Sequence, residues 1–324
     1  MTPAYPSLLL RLATLLLPCV GLFTACAAAD PSAARGNAGP GAATAAATDY
    51  EPQRGQAGKD VVWVPTPDAV VSRMLAMAEV TPQDFVIDLG SGDGKIVIAA
   101  ARERGARARG LEYNPDLVAL SKRRAQEAGV AARVEFLQAD IFKSDFSDAT
   151  VITMYLLPGL NLRLRETLFG MKPGTRVVSH SFDMGAWEAD ERATVGSASV
   201  YLWIIPANAS GLWRVNAPRL SGAPQTLRFE QQFQKLSGEA EFTGLKASAT
   251  QAQLDGARLS FTLRDERGEL LQFSGEVAGD RIAGTVSRGG GRGVPFEAQR
   301  QGTVNPIGGL QPNAREAGIM GDRS

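Results

Sequence analysis

The chain predicts an α/β sheet followed by a small antiparallel β barrel or sandwich, and three observations carry that reading. Between Val61 and Ile205, short apolar runs alternate with segments of helical periodicity, the rhythm of successive βα units. Within it, Phe85-Val86-Ile87-Asp88-Leu89 runs into Gly90-Ser91-Gly92-Asp93-Gly94-Lys95 and then Ile96 to Ala101, which reads as strand, tight turn and buried helix. After Ser210 the pattern switches to period two. Leu227, Phe229 and Phe233, then Leu259, Phe261 and Leu263, then Leu271 and Phe273 alternate with polar residues, with turn signals at Ser237-Gly238, Asp255-Gly256, Arg267-Gly268 and Gly279-Asp280.

Composition bounds the function. The 324 residues are 44% hydrophobic and 21% charged with a formal net charge of zero, so the chain is foldable and carries no basic footprint for nucleic acid. Its single histidine, His180, and the confinement of Cys19 and Cys26 to the first 29 residues exclude a metal site of zinc type and an internal disulfide in the body. Residues 1–29 read as a signal peptide, apolar from Ser7 to Ala25 and closing on small residues. Leu22-Phe23-Thr24-Ala25-Cys26 resembles a bacterial lipobox, which would make Cys26 a lipid anchor at a membrane, while ordinary cleavage after Ala27 or Ala29 also fits. The expected location is therefore outside the cytoplasm, periplasmic or membrane-anchored. Residues 30–59 are Ala-, Gly-, Pro- and Ser-rich and read as a flexible linker.

The folded body is expected over 60–209. Val61 to Val64 is extended. Pro67 suits the start of a helix running to Glu79, with Thr66 placed to cap it. In the glycine-rich turn the residue three after Gly92 is Lys95, so a dinucleotide fingerprint fails. An acid before the glycines repels a pyrophosphate and suits a ligand carrying both an ammonium and a carboxylate. Asp88-Leu89-Gly90-Ser91-Gly92-Asp93-Gly94 resembles the first motif of class I S-adenosylmethionine-dependent methyltransferases. The Val64-Pro65-Thr66-Pro67 element ahead of it, with Asn114-Pro115 beyond, is similar to relatives of the lysine methyltransferase that acts on the ATP synthase c-subunit.

The later elements follow in the same rhythm. Arg107 to Tyr113 is a strand ending in Glu112, Pro115 to Ala128 a helix, and Arg133 to Asp140 a third strand. Ala149 to Pro158 is the fourth strand, Leu160 to Met171 a helix, and Thr175 to Asp183 the fifth strand; Arg192–Gly196 and Ser199–Pro206 complete the set. The resemblance implies a seven-stranded Rossmann-like sheet with its last strand antiparallel. It also implies that S-adenosyl-L-methionine is held by Thr66, Asp88, Gly90, Ser91, Gly92, Gly94, Glu112, Tyr113, Asp140 and Ile141. Within that set, Glu112 takes the ribose hydroxyls and Asp140 the adenine amine.

Tyr155, His180 and Asp183 stand at carboxyl ends of strands, where open α/β sheets bind ligands, and are the candidate catalytic residues. His180 suits proton transfer from a substrate nitrogen, and a structural histidine bonded to backbone fits equally. The post-strand-four segment, Tyr155-Leu156-Leu157-Pro158, lacks the N-P-P-Y signature of nucleic-acid amino-methylating enzymes. Short connections after strands four and five leave the site open, which suits a side chain presented by a protein substrate, most naturally a lysine amine. The alternatives are a non-catalytic binding lipoprotein, favoured by export away from the compartment where the cofactor is made, and a small-molecule methyltransferase. Residues 210–302 form the antiparallel β region, without a catalytic constellation, and 303–324 read as a disordered tail. Oligomeric state is not encoded in any of these patterns.

Overall fold

A computed structural model describes residues 50–309 and 311–321 of the chain. The expected leader with Cys26, and residues 30–49 of the expected linker, lie outside the described residues.

Helix α1 (Asp68–Met77) leads into the α/β unit of β1 (Phe85–Leu89), α2 (Lys95–Arg104), β2 (Arg107–Glu112), α3 (Pro115–Glu127) and β3 (Val134–Gln138). It continues through β4 (Val151–Met154), α4 (Pro158–Phe169), β5 (Arg176–His180), β6 (Glu191–Val195) and β7 (Ala198–Ile204). The seven strands make one sheet in the order β3-β2-β1-β4-β5-β7-β6, with β7 antiparallel to β5 as expected. The chain runs outward from β1 to β3 and then returns to β4 on the other side of β1, so the crevice at the carboxyl ends of β1 and β4 is a topological switch point. Strands β1 and β4 are buried on both faces, which explains why they read as near-continuous apolar runs.

The second sheet has nine antiparallel strands: β8 (Gly211–Asn216), β9 (Thr226–Gln232), β10 (Lys235–Glu241), β11 (Lys246–Ser248), β12 (Thr250–Asp255), β13 (Arg258–Arg264), β14 (Leu270–Ala278), β15 (Arg281–Arg288) and β16 (Val294–Gln301). Their order is β11-β10-β9-β8-β16-β15-β14-β13-β12. The two edge strands are consecutive in the chain, and the Ala249 amide between them donates to the Gly238 carbonyl of β10 (2.7 Å), so the sheet curls almost into a closed barrel. Inward residues fill it. Phe261 stacks on Phe273 at 4.7 Å, with Phe229 and Phe296 edge-on at 5.3 and 5.0 Å. The expected turn at Ser237-Gly238 is instead mid-strand in β10. Gly238 is needed there because a Cβ would stand 2.6 Å from the ring of Phe229 on the neighbouring strand.

The barrel grips the α/β sheet through the β9–β10 turn. Phe233, at positive φ, enters the aromatic cluster of Phe169, Trp187 and Trp203, and Gln234 donates to the Glu188 carbonyl (2.8 Å).

The end of the expected linker, 55–59, and the expected tail both follow a defined path. Residues 55–63 form a small hairpin, with the Gly55 amide donating to the Trp63 carbonyl (2.9 Å) and the Trp63 amide to the Gln56 carbonyl (2.8 Å). Just before the hairpin, Glu51 pairs with Arg124, which also pairs with Asp93, tying the chain that leads into the hairpin to α3 and the glycine turn. The segment expected as a disordered tail passes the barrel at Gly308 and then forms α5 (Ala314–Gly321), which packs on α4. A reciprocal cap starts α5. The Asn313 side chain accepts from the Glu316 amide (3.0 Å) and Glu316 accepts from the Asn313 amide (2.9 Å). Helix α4 begins at Pro158, two residues before the expected start, since proline fits the first helical position.

Candidate active site

The turn after β1 builds the floor of the site. Gly90, Gly92 and Gly94 take φ of 76°, 54° and 79°, and the amides of Gly90 and Ser91 both donate to the Leu111 carbonyl at the end of β2 (2.8 and 3.0 Å). A Cβ at Gly92 would stand 2.8 Å from Trp63 Nε1, and one at Gly90 3.1 Å from Leu156, so glycine lets these two side chains pack directly on the backbone of the turn. Gly94 differs. It caps α2 beneath the turn, where a Cβ would meet Phe136 and Ser121, so its part is structural and it does not line the cavity.

Above this floor lies a cavity of about 270 Å³. Asp88, Gly90, Ser91, Gly92, Glu112, Tyr113, Asp140, Ile141 and Thr66 all line it, nine of the ten positions expected to hold the cofactor. Glu112 accepts from the amides of Gly92 and Asn114, both at 2.9 Å, and so joins the glycine turn to the start of α3. Asp88 is buried and accepts from the Thr153 hydroxyl (2.7 Å). Burial pushes its carboxyl up to about 7; the Thr153 bond opposes the rise, while Glu112 and Asp93 add to it. Ser91 Oγ is buried without a partner among the described residues.

Two further groups went unrecognised in the sequence. The 55–63 hairpin covers the cavity, with Trp63 over Gly92 and Lys59 paired to Asp140 (2.8 Å) and lying over the Tyr113 ring. Lys59 holds the Asp140 carboxyl below the usual carboxylate range. Leu157, Leu160 and Phe182 add an apolar stretch to the cavity wall. The Val61 to Val64 run is the one local signal that could have marked the hairpin as packed and not free.

The three candidate catalytic residues separate in space. Tyr155 lines the cavity, and its hydroxyl has no protein partner among the described residues. His180 lies one layer behind, buried, with its ring 3.8 Å from that of Tyr155 and Nδ1 3.2 Å from Thr66 Oγ1. Burial brings its pKa down to about 4, so at neutral pH it is an uncharged support for Tyr155 and not a base in contact with substrate. The Thr66 hydroxyl is therefore engaged with His180, and α1 starts at Pro67 without a side-chain cap. Asp183 is exposed, away from the cavity, and accepts from the Gly185 amide (3.1 Å) as a turn-former. Strand-end position alone did not distinguish these three.

Residues 88–191 match the family model of the ANTKMT methyltransferase domain. The chain is 40% identical over 151 residues to a protein-lysine N-methyltransferase of Saccharolobus islandicus, covering 45% of this chain and 94% of that protein. The chain belongs to this methyltransferase family. The methyltransferase is also 35% identical over 123 residues to the mouse lysine N-methyltransferase of the ATP synthase c-subunit, covering 38% of this chain and 49% of the mouse protein, about half its length. A solved structure of an RNA methyltransferase from Salinibacter ruber with S-adenosyl-L-homocysteine is 55% identical, with a TM-score of 0.43, covering 44% of this chain and 94% of that one.

S-adenosylmethionine is the cofactor of the methyltransferase, and the residues present fit it. Gly90 and Gly92 offer backbone alone to the cavity, the Ser91 hydroxyl in the turn has no partner among the described residues, and carboxyl groups stand at both Asp88 and Glu112. Asp88 would hold the ammonium end, Glu112 the ribose hydroxyls, and Asp140 with Ile141 the adenine.

Proposed function

We propose that the methyltransferase modifies a lysine side-chain amine presented by another protein. The observation that carries this reading is the 40% identity extending over 94% of the archaeal protein-lysine N-methyltransferase. When bound, S-adenosylmethionine supplies an electrophilic methyl group. The chain's own contribution is to place the amine in line and to keep water away, which can provide most of the acceleration. Leu157, Leu160 and Phe182 give the acceptor end an apolar wall. Such a wall disfavours an ammonium and so promotes the neutral amine that attack requires. Tyr155, whose hydroxyl has no partner among the described residues, can accept an amine N–H here, orienting the nitrogen lone pair. Neutral His180 behind it, tied to Thr66, keeps the Tyr155 ring in place.

We further propose that the protein is exported and held at a membrane through Cys26, a reading supported by the apolar leader and its lipobox-like end. No helix among the described residues is long and apolar enough to cross a membrane.

The function is tested by incubating the purified methyltransferase with methyl-labelled S-adenosylmethionine and, separately, a protein extract, total RNA and a small-molecule fraction. Label recovered as methyl-lysine in protein is the expected result. Label confined to RNA or to small molecules would overturn it.

A further inference from the structure

The segment 181–190, which joins β5 to β6, carries part of the cavity wall through Phe182, on the side read above as the acceptor end. Two fully buried side chains of α4 hold it. Asn161 Nδ2 donates to the carbonyls of Phe182 and Asp183, both at 3.2 Å, and Arg165 donates to the Met184 carbonyl at 3.1 Å. Arg165 in turn makes a two-pronged bond to Glu316 of α5 (2.8 and 3.1 Å), a residue 151 positions further along the chain. The Glu316 carboxylate also accepts from the Ala186 amide (2.6 Å), and a Cβ on Gly185 would collide with it.

Glu316 is the residue that α5 buries. Its carboxylate is met by the Arg165 fork and by the amides of Ala186 and Asn313, and Arg165 foremost draws its pKa down to about 2. A buried ion pair is an inefficient source of stability, because desolvation offsets most of the attraction. Its fork geometry, in contrast, fixes position and direction. Arg165, Glu316 and the Ala186 amide together lock loop backbone to helix four residues beyond Phe182.

We propose that Glu316 is a positioning residue for methyl transfer: by holding Met184–Ala186 against Arg165, it fixes Phe182 as the acceptor-side wall of the cavity. The proposal rests on the reading of that end as the lysine site. It gives the carboxyl-terminal helix a part in the reaction without any contact with substrate or cofactor.

The test compares the full chain with Glu316→Ala, Glu316→Gln, the double variant Arg165→Met with Glu316→Met, and Asp265→Asn. The last weakens the pair of buried Asp265 with half-buried Arg288 in the barrel, away from the loop, and serves as a control for lost stability alone. Three quantities are read: cofactor affinity by calorimetry, kcat/KM with poly-L-lysine as the acceptor, and amide exchange over 181–187.

For Glu316→Ala, exchange should quicken at 184–187 and kcat/KM should fall about tenfold or more, since small misplacements near a reacting pair are costly. Cofactor affinity should hold, because every cofactor position lies elsewhere. Glu316→Gln keeps one acceptor oxygen and should fall between. The double methionine variant should fold yet remain defective, because it restores packing without the bonds to Met184 and Ala186. Asp265→Asn should lower the melting temperature and change neither exchange nor kcat/KM. Unchanged loop exchange in Glu316→Ala, full activity of the double variant, or a parallel loss of cofactor affinity would overturn the proposal. If the wild type transfers no methyl group to poly-L-lysine, the lysine reading fails, and loop exchange alone decides the positioning role.

Discussion

Removal of the Glu112 carboxylate should damage the site twice. In the free protein it is the acceptor for two backbone amides, those of Gly92 and Asn114. A buried amide left without a partner costs about 1–3 kcal/mol. Glu112 is half-buried, so water recovers part of that, and a loss of about 2–3 kcal/mol is expected for Glu112→Ala. For a body of this size that corresponds to a fall in Tm of about 4–10 °C. The second loss concerns the cofactor. Hydrogen bonds from ligand hydroxyls to a carboxylate contribute about 1.5–3 kcal/mol, so affinity should fall by about 10- to 100-fold. Glu112→Gln keeps one acceptor oxygen but sets an amide nitrogen against the other backbone N–H, and should lose somewhat less of each. Thermal unfolding with and without S-adenosylmethionine, alongside calorimetry, separates the two effects. A Tm of Glu112→Ala within about 1 °C of wild type, with unaltered affinity, would refute the assignment of this carboxylate as the joint between the turn and the ligand.

Asp88, held up at about 7 by burial, keeps its proton in the free protein below that pH, whereas a ligand ammonium favours the carboxylate. Binding should therefore release a proton below pH 7, with affinity rising as pH climbs toward 7 and flattening above it; calorimetry in two buffers of different ionisation heat reads this directly, and Asp88→Asn should abolish it. For the leader, wild type should sediment with membranes while Cys26→Ser is released or left unprocessed, as a multiply acylated terminus anchors stably; intact leader on a cytosolic protein would refute export.

How much could be read from sequence followed the range of the interactions involved. The Asp88 to Lys95 turn was legible because its chemistry is local: an acid, three glycines and a helix start within a few residues. The barrel was legible for a similar reason, since period-two burial is written into each strand separately. His180 stayed open between a proton-transfer and a structural part because burial is a tertiary property, and nothing in Ser179-His180-Ser181 says that Tyr155 will lie between it and the cavity. Phe233 looked like one more alternating residue, although the turn that carries it points into the other sheet. The hairpin's first half, 55–59, and α5 were missed because hydropathy does not register them. Asn313-Ala314-Arg315-Glu316 does carry a capping pattern, but its burial depends on Arg165 half the chain away.

The path of the chain also makes the barrel a detour. It leaves the α/β sheet just after Ile204 and runs along β8. It comes back along β16, which is hydrogen-bonded to β8 with Leu212 opposite Gln301. Only then does it lay α5 onto α4. Departure and return are thus neighbours, the arrangement in which a whole domain can sit inside another as if it were a long loop. A stop codon after Ser210 would strip away α5 together with the barrel and leave Arg165 facing an empty socket. An internal excision from Gly211 to Gln301, bridged by a few glycines, would spare α5, at the loss of the Phe233 ring, of the Gly256 carbonyl that accepts from the Ala207 amide, and of the Gln231 and Arg300 bonds to residues 207–210. The methyltransferase is a host carrying a cassette, and its helix α5 comes after the insert in the chain.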